Sequence, residues 1–409
     1  MPASLRLGAV TSHITASDSA RACFSARSSP CAAARQSQRR HCLHHANLSK
    51  SAGYARLQAE EYPMGFCTER IAVANHTAVG AAIYRQLIRL GHPRNLIYPT
   101  PSDDVDWTDT RSIRSFFEKV KPAQVYVGSE DMDAFQAPDG YARLNGSRKH
   151  AGSAHIVQAA LKSGVRRLMQ VTTAVSRPIP DHGPIDEARW LSAFSFKAGV
   201  DGTCAPDYQS VSLSRQIMKE LGQSHGLDYR CILTSQPYGP SWSMTKGRLT
   251  NCAGAADRFI RNMFHSFSSA MASPGSSVML EIDPSERFDL LYVDDVADAA
   301  VFLMELPQCE YDGILPPSCS HINTASDVDV GAGDLVQAIA IAIGFHGAVE
   351  LSPVGFSREG CKLDNRRLRE FGWRPLVELT TGLELTAMAH KLWQLAEPGS
   401  SNCLRNKAA

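Results

Sequence analysis

The sequence predicts an α/β fold in which a doubly wound parallel sheet carries a smaller C-terminal α/β lobe. Three observations lead to this prediction. Short apolar runs, suited to buried parallel strands, alternate with helical patterns from Arg70 onward. The 409 residues suffice for two domains or for one large unit with an appended lobe. The alternation becomes irregular after about Pro240, so the lobe should lie mainly in the C-terminal part.

The elements of the sheet can be assigned in chain order. RIAVAN predicts the first strand, and VGAAIYRQLIRLG predicts the helix after it, which ends at Gly91. The next helix, TRSIRSFFEKVKP, has an apolar face formed by Ile113, Phe116, Phe117 and Val120. Further strands and helices are predicted by NLIYPT, QVYVGS, GSAHIVQAALKSGV, RLMQVTTA, VSLSRQIMKELGQSHG and YRCILTSQPYG. In such sheets the crossovers are right-handed and ligands bind at the carboxyl ends of the strands.

The composition excludes several classes of protein. Lys plus Arg number 42 and Asp plus Glu number 41, and this formal net charge of +1 argues against a nucleic-acid partner. No apolar run of about 18 residues is present, so no membrane partner is expected. The 11 cysteines form no C-x-x-C pair, which indicates a reducing compartment. The HCLHH cluster at 41–45 lacks a second ligand group, so no metal is expected.

Residues 1–63 differ from the rest of the chain. They are rich in Ala, Ser and Arg, and Asp18 is their only acidic residue before Glu60. Two interpretations remain open: an organelle transit peptide, or translated sequence upstream of a start at Met64. Both predict a disordered extension. The expected location is cytoplasmic, or an organelle if the segment is a transit peptide.

The first strand–helix turn, VANHTAVGAAI, is the candidate site for a phosphate group. A dinucleotide needs glycines there, so that the backbone can approach the diphosphate at the helix N-terminus. Gly80 is present, whereas Asn75, Thr77 and Ala78 stand where glycine is expected. Ordinary strand–turn–helix packing remains the alternative for this motif.

Several stretches taken together are more specific than this turn. They occur in a fixed order at fitting intervals: RIAVANHTAVGAAIYRQL, DVDWTDTRSIRSFFEKVKPAQVYV, YRCILTSQPYGP, LLYVDDVADAAVFLMEL, HINTASDVDVGAGDLVQAIAIAIGFHGAVEL and KLDNRRLREFGWRPLVELTTGL. The series resembles the extended short-chain dehydrogenase/reductase superfamily and, within it, the GDP-L-fucose synthase family. The resemblance covers roughly Glu69 to Ala396, and the patterns DWTDxRSIxxFF, FHGxV and LxxFGW favour this family over its relatives.

The resemblance implies a Rossmann domain for a cofactor and a C-terminal lobe for a sugar nucleotide. The implied organisation is a disordered extension or transit segment at 1–63, the Rossmann dinucleotide-binding domain at 64–240, a mainly sugar-nucleotide-binding lobe with segments returning to the main sheet at 241–396, and a tail at 397–409. Members of that family use NADPH to reduce and epimerise GDP-4-keto-6-deoxymannose. The expected cofactor is therefore NADP, weakly bound and with NAD as an alternative. The expected partner is a GDP-sugar, and a homodimer is left open.

Only part of the family's catalytic set matches this sequence. The serine that holds the keto oxygen falls on Thr173, and the tyrosine that gives the proton falls on Tyr208. The lysine four residues later, which would favour the ionised tyrosine, is replaced by Ser212. The cysteine of the epimerisation step falls on Val175 and its histidine near Ala253. The expected catalytic positions are thus Thr173, Tyr208 and Ser212.

The resemblance also assigns positions for binding. The positions matched to cofactor contacts are Asn75, Gly80, Asp106, Trp107 and Pro237. Arg287, which lies one position from the family's arginine, and Arg358 are expected to bind the substrate. Pro99, Thr100 and Ser102 stand where an arginine would read the 2′-phosphate, so little preference for NADPH over NADH is expected.

Three functions remain open for such a chain. The first is a GDP-L-fucose synthase-like oxidoreductase and epimerase with a degenerate catalytic set. The others are a nucleotide-sugar reductase without epimerase activity and a non-catalytic homologue that binds or regulates. Structural roles compete with catalytic ones: Tyr208 as a packed tyrosine at a helix start, Thr173 as a hydrogen-bonded strand residue, and Asp294 and Asp295 as caps of the following helix.

Overall fold

The central sheet is built from short apolar segments, as the alternating pattern predicts. Its strands are β1 (Ile71–Ala74), β2 (Ile97–Tyr98), β3 (Gln124–Val127), β4 (Arg167–Thr173), β5 (Asp228–Thr234) and β12 (Ile322–Thr324). Neighbouring strands all pair in parallel, in the order β2–β1–β3–β4–β5–β12. The strand order reverses between β1 and β3, so the sheet is doubly wound and of the Rossmann type. The predicted fold class is confirmed.

The structure is a computed structural model that describes part of the chain. The described residues are 69–74, 77–99, 105–107, 109–128, 155–174, 183–190, 220, 224, 226–240, 242–245, 248–251, 255–271, 277–315, 319–352 and 362–396. All of them lie within the unit Phe66–Ala409. The extension predicted at 1–63, the tail at 397–409 and most of the predicted helix VSLSRQIMKELGQSHG fall outside them. No helix of the described part is long and apolar enough to cross a membrane.

The first two helices confirm the sequence patterns. Helix α1 (Ala78–Arg89) follows β1, and the chain leaves it through Gly91, whose φ of 88° suits glycine. Helix α2 (Thr110–Val120) begins at Asp109, whose carboxylate accepts backbone N–H groups of the first turn. The buried residues of α2 are the four predicted ones, Ile113, Phe116, Phe117 and Val120. Residues 155–162 form a further helix before β4.

The C-terminal part combines small sheets with helices. The paired strands are β6 (Gln236–Tyr238) with β11 (Leu290–Tyr292), β7 (Trp242–Thr245) with β8 (Arg248–Asn251), β9 (Val278–Glu281) with β14 (Val349–Ser352), and β10 (Arg287–Phe288) with β13 (Val330–Gly331). The helices are α3 (Ala255–Met271), α4 (Val293–Glu305), α5 (Gln308–Ile314), α6 (Ala332–Ile343), α7 (Arg366–Glu370) and α8 (Leu379–Ala396). A second apolar core joins α3, α6 and α8 through residues such as Phe264, Ile339 and Leu383.

Two predicted strands differ from the observed ones. YRCILTSQPYG divides into β5 and β6 because Ser235 bends the chain: its N–H donates to Thr324 O, and the Gln236 N–H donates to Asp289 O. The chain thereby passes from the main sheet to β11. NLIYPT contributes only the two residues of β2, after a 3₁₀ turn at Arg94–Leu96, and Pro99 follows without an N–H for a sheet bond.

The predicted capping of α4 needs a correction. Asp294 and Asp295 do lie in the first turn of α4, where a negative charge suits the helix dipole. Neither carboxylate caps this helix, however. Asp294 pairs with Arg85 of α1 at 2.5 Å. Asp295 accepts the N–H groups of Leu376 and Val377 at 3.1 and 3.0 Å, and so fixes the segment before α8.

Candidate functional site

The point where the strand order reverses brings the N-terminus of α1 against the end of β3. Gly128 follows β3, and its N–H donates to Ala74 O at 3.2 Å. A Cβ on Gly128 would lie 3.0 Å from Gly80 N and 2.3 Å from Thr77 Oγ1. Such close helix–strand packing is the role of the third glycine in a dinucleotide-binding turn. Gly80 therefore lies where the sequence predicted a cofactor contact.

The Thr77 side chain caps the helix end that forms this crevice. It is the N-cap of α1, and its Oγ1 accepts the Gly80 N–H at 3.0 Å. The first turn of α1 contains no acidic residue, so the positive end of the helix dipole is not neutralised there. The crevice therefore keeps an attraction for anions, but the threonine hydroxyl already satisfies one of its N–H groups.

The residues present fit a dinucleotide at its diphosphate. Gly128 lets the end of β3 approach the first turn of α1 closely, and backbone N–H groups at a helix N-terminus are suited to a diphosphate. No lysine or arginine stands between Arg94 and Arg111, the stretch that contains the end of β2, so this stretch provides no cation for a 2′-phosphate. The fit therefore covers the part that NAD and NADP share.

The two positions predicted near the adenine differ in exposure. Asp106 is exposed, and its N–H donates to Ser112 Oγ at 2.9 Å. Trp107 is 6% exposed, and its ring meets Phe116 edge to face with the ring centroids 5.1 Å apart. The Trp107 ring thus belongs to the packing of α2, and only backbone atoms of this residue could serve a ligand, as the prediction supposed.

Three threonines stand side by side at the carboxyl edge of the sheet. Thr173 ends β4, Thr234 ends β5 and Thr324 ends β12, and the strand register pairs Thr173 with Thr234 and Thr234 with Thr324. Side chains paired in this way point to the same face of a sheet. Thr173 is half-buried, whereas Thr234 and Thr324 are fully buried. The Oγ1 atoms of Thr234 and Thr324 find no hydrogen-bond partner in the described part of the chain.

The face that carries these threonines is the one covered by α4. Arg230 lies four residues before Thr234 on β5, and so on the same face. Its guanidinium donates to the carbonyl oxygens of Leu303 and Met304 at the end of α4. Thr173, the residue predicted to bind the ketone, thus belongs to a row of three threonine hydroxyls. The row lies at the carboxyl edge of the sheet, on the face that α4 covers.

The opposite face anchors two segments that lie outside the main sheet. Buried Glu187 accepts the Asn323 N–H at 3.1 Å and pairs with Arg367 at 3.1 Å. Burial raises the pKa of Glu187, although these hydrogen bonds and the arginine oppose the shift. The Asn323 side chain in turn donates to Ile185 O and Asp364 O. The end of β12 is thereby tied to residues 183–190 and 362–367.

Asp289 is a second buried carboxylate on this side. It accepts the Leu363 N–H at 3.1 Å, and both the N–H and the hydroxyl of Ser326, at 3.2 and 2.9 Å. Burial raises the pKa of Asp289 to about 7, and these donors oppose the shift. The described part of the chain contains no group of three His, Cys, Asp or Glu residues that could hold a metal ion.

The remaining predicted positions separate into two groups. Pro237 is buried in β6 and pairs with Leu291 of β11. Arg287 is 56% exposed on its side chain and is engaged by Asp329, to which its Nε and Nη2 donate at 2.8 and 2.7 Å. Four predicted positions lie outside the described residues, and their roles stay predictions: Asn75, Tyr208, Ser212 and Arg358.

Sequence reasoning did not single out Thr234, Thr324, Glu187 or Asp289 as parts of this edge. A signal exists for Thr234, which ends the apolar run of CILTS, whereas the segment HINTAS around Thr324 has only Ile322 as an apolar residue before the threonine. The strand order that makes them neighbours of Thr173 is set by contacts distant in sequence. No comparable local signal marks the two carboxylates.

Fold and site together define a protein of the doubly wound α/β class with a candidate crevice for a nucleotide at its switch point. A sequence profile of the NAD dependent epimerase/dehydratase family matches residues 68–313, more than half of the 409 residues. The chain belongs to this family.

Curated relatives narrow the comparison. The chain is 26% identical to the GDP-L-fucose synthase of Escherichia coli (strain K12) over 326 residues, which cover 78% of this chain and 95% of that protein. It is 23% identical to the GDP-L-fucose synthase of Sinorhizobium fredii over 327 residues, or 77% of this chain and 93% of that one. The chain is thus a divergent relative of GDP-L-fucose synthases, as its motifs predicted.

Solved structures share the fold. The GDP-D-glycero-L-gluco-heptose synthase of Campylobacter jejuni, in the presence of NADPH, matches with a TM-score of 0.65 and 15% identity, over 79% of this chain and 98% of that chain. The GDP-L-fucose synthetase of Naegleria fowleri bound to NADP matches with a TM-score of 0.61 and 14% identity, over 81% and 94% of the two chains. At such identities the likeness establishes the fold alone.

Proposed function

We propose that this chain is a reductase of a GDP-linked keto sugar that takes its hydride from NADPH, with NADH as an alternative, and that lacks the epimerase chemistry of the GDP-L-fucose synthase family. The observation that carries the proposal is the place of Thr173, a half-buried hydroxyl that ends β4. Strand β4 pairs with β3, and the end of β3 forms the crevice at Gly128. Support for the substrate class comes from the GDP-L-fucose synthases, which match over nearly their whole length.

The side chains account for a reduction but not for an epimerisation. Bound NADPH would supply a hydride to the ketone carbon and leave as NADP⁺, and the ketone oxygen would then need one proton. The hydroxyl of Thr173 would orient that oxygen and the phenol of Tyr208 would give the proton. The resemblance places the epimerising cysteine on Val175 and the histidine near Ala253, and neither a valine nor an alanine side chain can exchange a proton.

The reduction should be slow. A free phenol has a pKa of about 10, and a nearby cation is needed to favour its ionised form. Ser212 provides none where the lysine would stand. Loss of such acid–base assistance lowers rates by roughly 10²- to 10⁴-fold. Dinucleotide binding should be weak, with little preference for NADPH over NADH, because no cation of the stretch 95–110 can meet a 2′-phosphate.

A second candidate function is a non-catalytic homologue that binds nucleotides or nucleotide sugars. The observation that favours it is the hydrogen bond of Thr77 to Gly80, which occupies an N–H that a diphosphate would use. Calorimetric titration distinguishes the cofactor classes. Sub-micromolar binding of NADPH together with much weaker NADH binding would contradict the expected lack of preference.

The test of the proposed function separates the two half-reactions. The full chain is incubated with GDP-4-keto-6-deoxymannose and NADPH in deuterated water, and the products are examined by NMR. Slow reduction without deuterium at C3 or C5 is expected, abolished by Tyr208→Phe and raised by Ser212→Lys. Tyr84→Phe, on half-buried Tyr84 of α1, is the matched control and should leave the rate unchanged.

Two results would count against this assignment. Rapid formation of GDP-L-fucose labelled at both carbons would show that other residues supply the epimerising groups. Measurable binding of NADPH and the sugar nucleotide without any turnover would favour the non-catalytic homologue instead.

A further inference from the structure

We propose that Thr77 limits the affinity of this chain for dinucleotides because its hydroxyl is an internal occupant of the diphosphate position. The inference rests on the proposed function, since it concerns the cofactor crevice at the start of α1. It assigns to Thr77 a role in the strength of cofactor binding.

The position of the hydroxyl is fixed from two sides. On the helix side, Thr77 Oγ1 accepts the Gly80 N–H at 3.0 Å. On the strand side, a Cβ on Gly128 would lie 2.3 Å from this oxygen. The hydroxyl therefore fills the gap between the end of β3 and the first turn of α1, where dinucleotide-binding sheets of this type receive the diphosphate.

The hydroxyl and a phosphate oxygen would compete for the same donor. A glycine at position 77 would carry no acceptor and would leave the Gly80 N–H to an anion. The helix terminus still favours an anion, because the first turn of α1 holds no acidic side chain. A bound dinucleotide must therefore displace a hydrogen bond that the wild-type chain makes to itself.

The size of the effect follows from what an N-cap contributes. Loss of a threonine cap typically changes helix stability by about 1 kcal/mol, which corresponds to roughly fivefold in an equilibrium constant. Removing the competing hydroxyl should therefore tighten dinucleotide binding by roughly five- to tenfold. The gain should be similar for NAD⁺ and NADP⁺, because the two share the diphosphate.

The experiment is calorimetric titration of the full chain with NADP⁺ and with NAD⁺, using the wild type and three variants of Thr77. Thr77→Gly and Thr77→Ala should bind both dinucleotides about five- to tenfold more tightly. Thr77→Ser, which keeps the hydroxyl, should match the wild type. Thermal unfolding is measured in parallel, and Thr77→Ala should unfold at a lower temperature because the cap is lost.

A matched control removes a different cap. Asp109 caps α2, the helix between β2 and β3 of the same sheet, and it accepts the N–H groups of Arg111 and Ser112. Asp109→Gly should lower the unfolding temperature and leave the affinity for both dinucleotides unchanged. A purely structural role of Thr77 would give the same pattern as Asp109, so tighter binding together with lower stability distinguishes the two.

The possible failures separate this inference from the proposed function. Wild-type binding that the Gly and Ala variants do not improve would overturn the role of Thr77 alone. A Ser variant that binds as tightly as the Gly variant would overturn it too. If neither the wild type nor any variant binds NADP⁺ or NAD⁺, both this inference and the proposed cofactor dependence are wrong.

Discussion

Substituting Arg230 by methionine should destabilise the fold strongly, because this arginine is a buried cation with a full set of partners. Its side chain is 1% exposed. Its Nη1 donates to the carbonyl oxygens of Leu303, of Met304 at 3.3 Å and of Leu306 at 2.8 Å, where α4 ends. Its Nε donates to Asp228 Oδ1 at 2.9 Å. The arginine thus satisfies carbonyls that a helix end leaves without intrahelical donors.

The magnitude follows from what the substitution leaves behind. Asp228, whose side chain is 12% exposed, would then have Arg167 as its one cationic neighbour among the described residues, at 3.7 Å. Removing one member of a buried ion pair costs about 3–5 kcal/mol. The carbonyls without donors and the lost contact with the Tyr311 ring, 5.0 Å from the guanidinium carbon, act in the same direction. Methionine fills much of the volume of the arginine, and these effects overlap. We therefore expect the free energy of unfolding to fall by about 4 kcal/mol.

The assay is urea unfolding followed by circular dichroism, with Arg166→Met as the matched control. The Arg166 side chain is 63% exposed and pairs with Glu69, so its loss should cost less than about 1 kcal/mol. In the double variant Arg230→Met with Asp228→Asn, no buried carboxylate keeps an unpaired charge, and Arg167, whose side chain is 26% exposed, loses its contact with Asp228. The decrease in the free energy of unfolding of the double variant should therefore be smaller than the sum of the decreases of the two single variants, by at least about 1 kcal/mol. An Arg230→Met variant that unfolds like Arg166→Met, or strictly additive losses, would refute this reasoning.

Two further predictions concern packing and pH. Gly382→Ala should destabilise by about 1–2 kcal/mol because its Cβ would lie 2.1 Å from Tyr238 Oη. Gly333→Ala in α6, with no atom within 4 Å, should stabilise by up to about 1 kcal/mol, and equal effects in urea unfolding would contradict both expectations. Burial raises the pKa of Asp289 from 3.8 to about 7, so its protonated form is favoured in the fold. This contribution is complete below about pH 4 and is lost as the pH rises through 7, by at most about 1.4 kcal/mol per pH unit. Asp289→Asn should flatten this slope between pH 5 and 7, and an unchanged slope would exclude Asp289 as its source.

The fold could be predicted wherever its signal is local. The buried face of α2 follows from the helical spacing of four apolar residues, and the end of α1 follows from Gly91. The division between β5 and β6 could not be predicted in this way, since the residues form one continuous strand-like run. Ser235 bends there because its N–H donates to Thr324 O, a partner almost ninety residues away in the chain. Only the assembled sheet supplies that partner.

The candidate site likewise contains features with a local sequence signal and features set by contacts distant in the chain. The place of Gly80 in the strand–helix turn could be predicted because a glycine there has a known use, and its contact with a cofactor stays a prediction. The row that Thr173 forms with Thr234 and Thr324 depends on strand order and register, which no local pattern contains. The capping assigned to Asp295 was wrong for a related reason. The Asp295 carboxylate accepts the backbone N–H of Leu376, a residue far away in the chain, instead of an N–H group of its own helix.

Binding and chemistry are separable in this chain because they depend on different kinds of atoms. The candidate diphosphate crevice is made of backbone, of Gly80 and Gly128 and of the Thr77 hydroxyl, and the packing of α1 on β3 requires Gly128. The catalytic substitutions that the resemblance implies, at Val175 and Ser212, lie outside the described residues, whereas buried contacts such as those of Arg230 hold β5 to the end of α4. We expect such substitutions to leave the fold and the crevice in place. Reduction needs a bound dinucleotide and one proton donor, whereas epimerisation needs two additional side chains. We therefore expect the chain to retain reduction more readily than epimerisation.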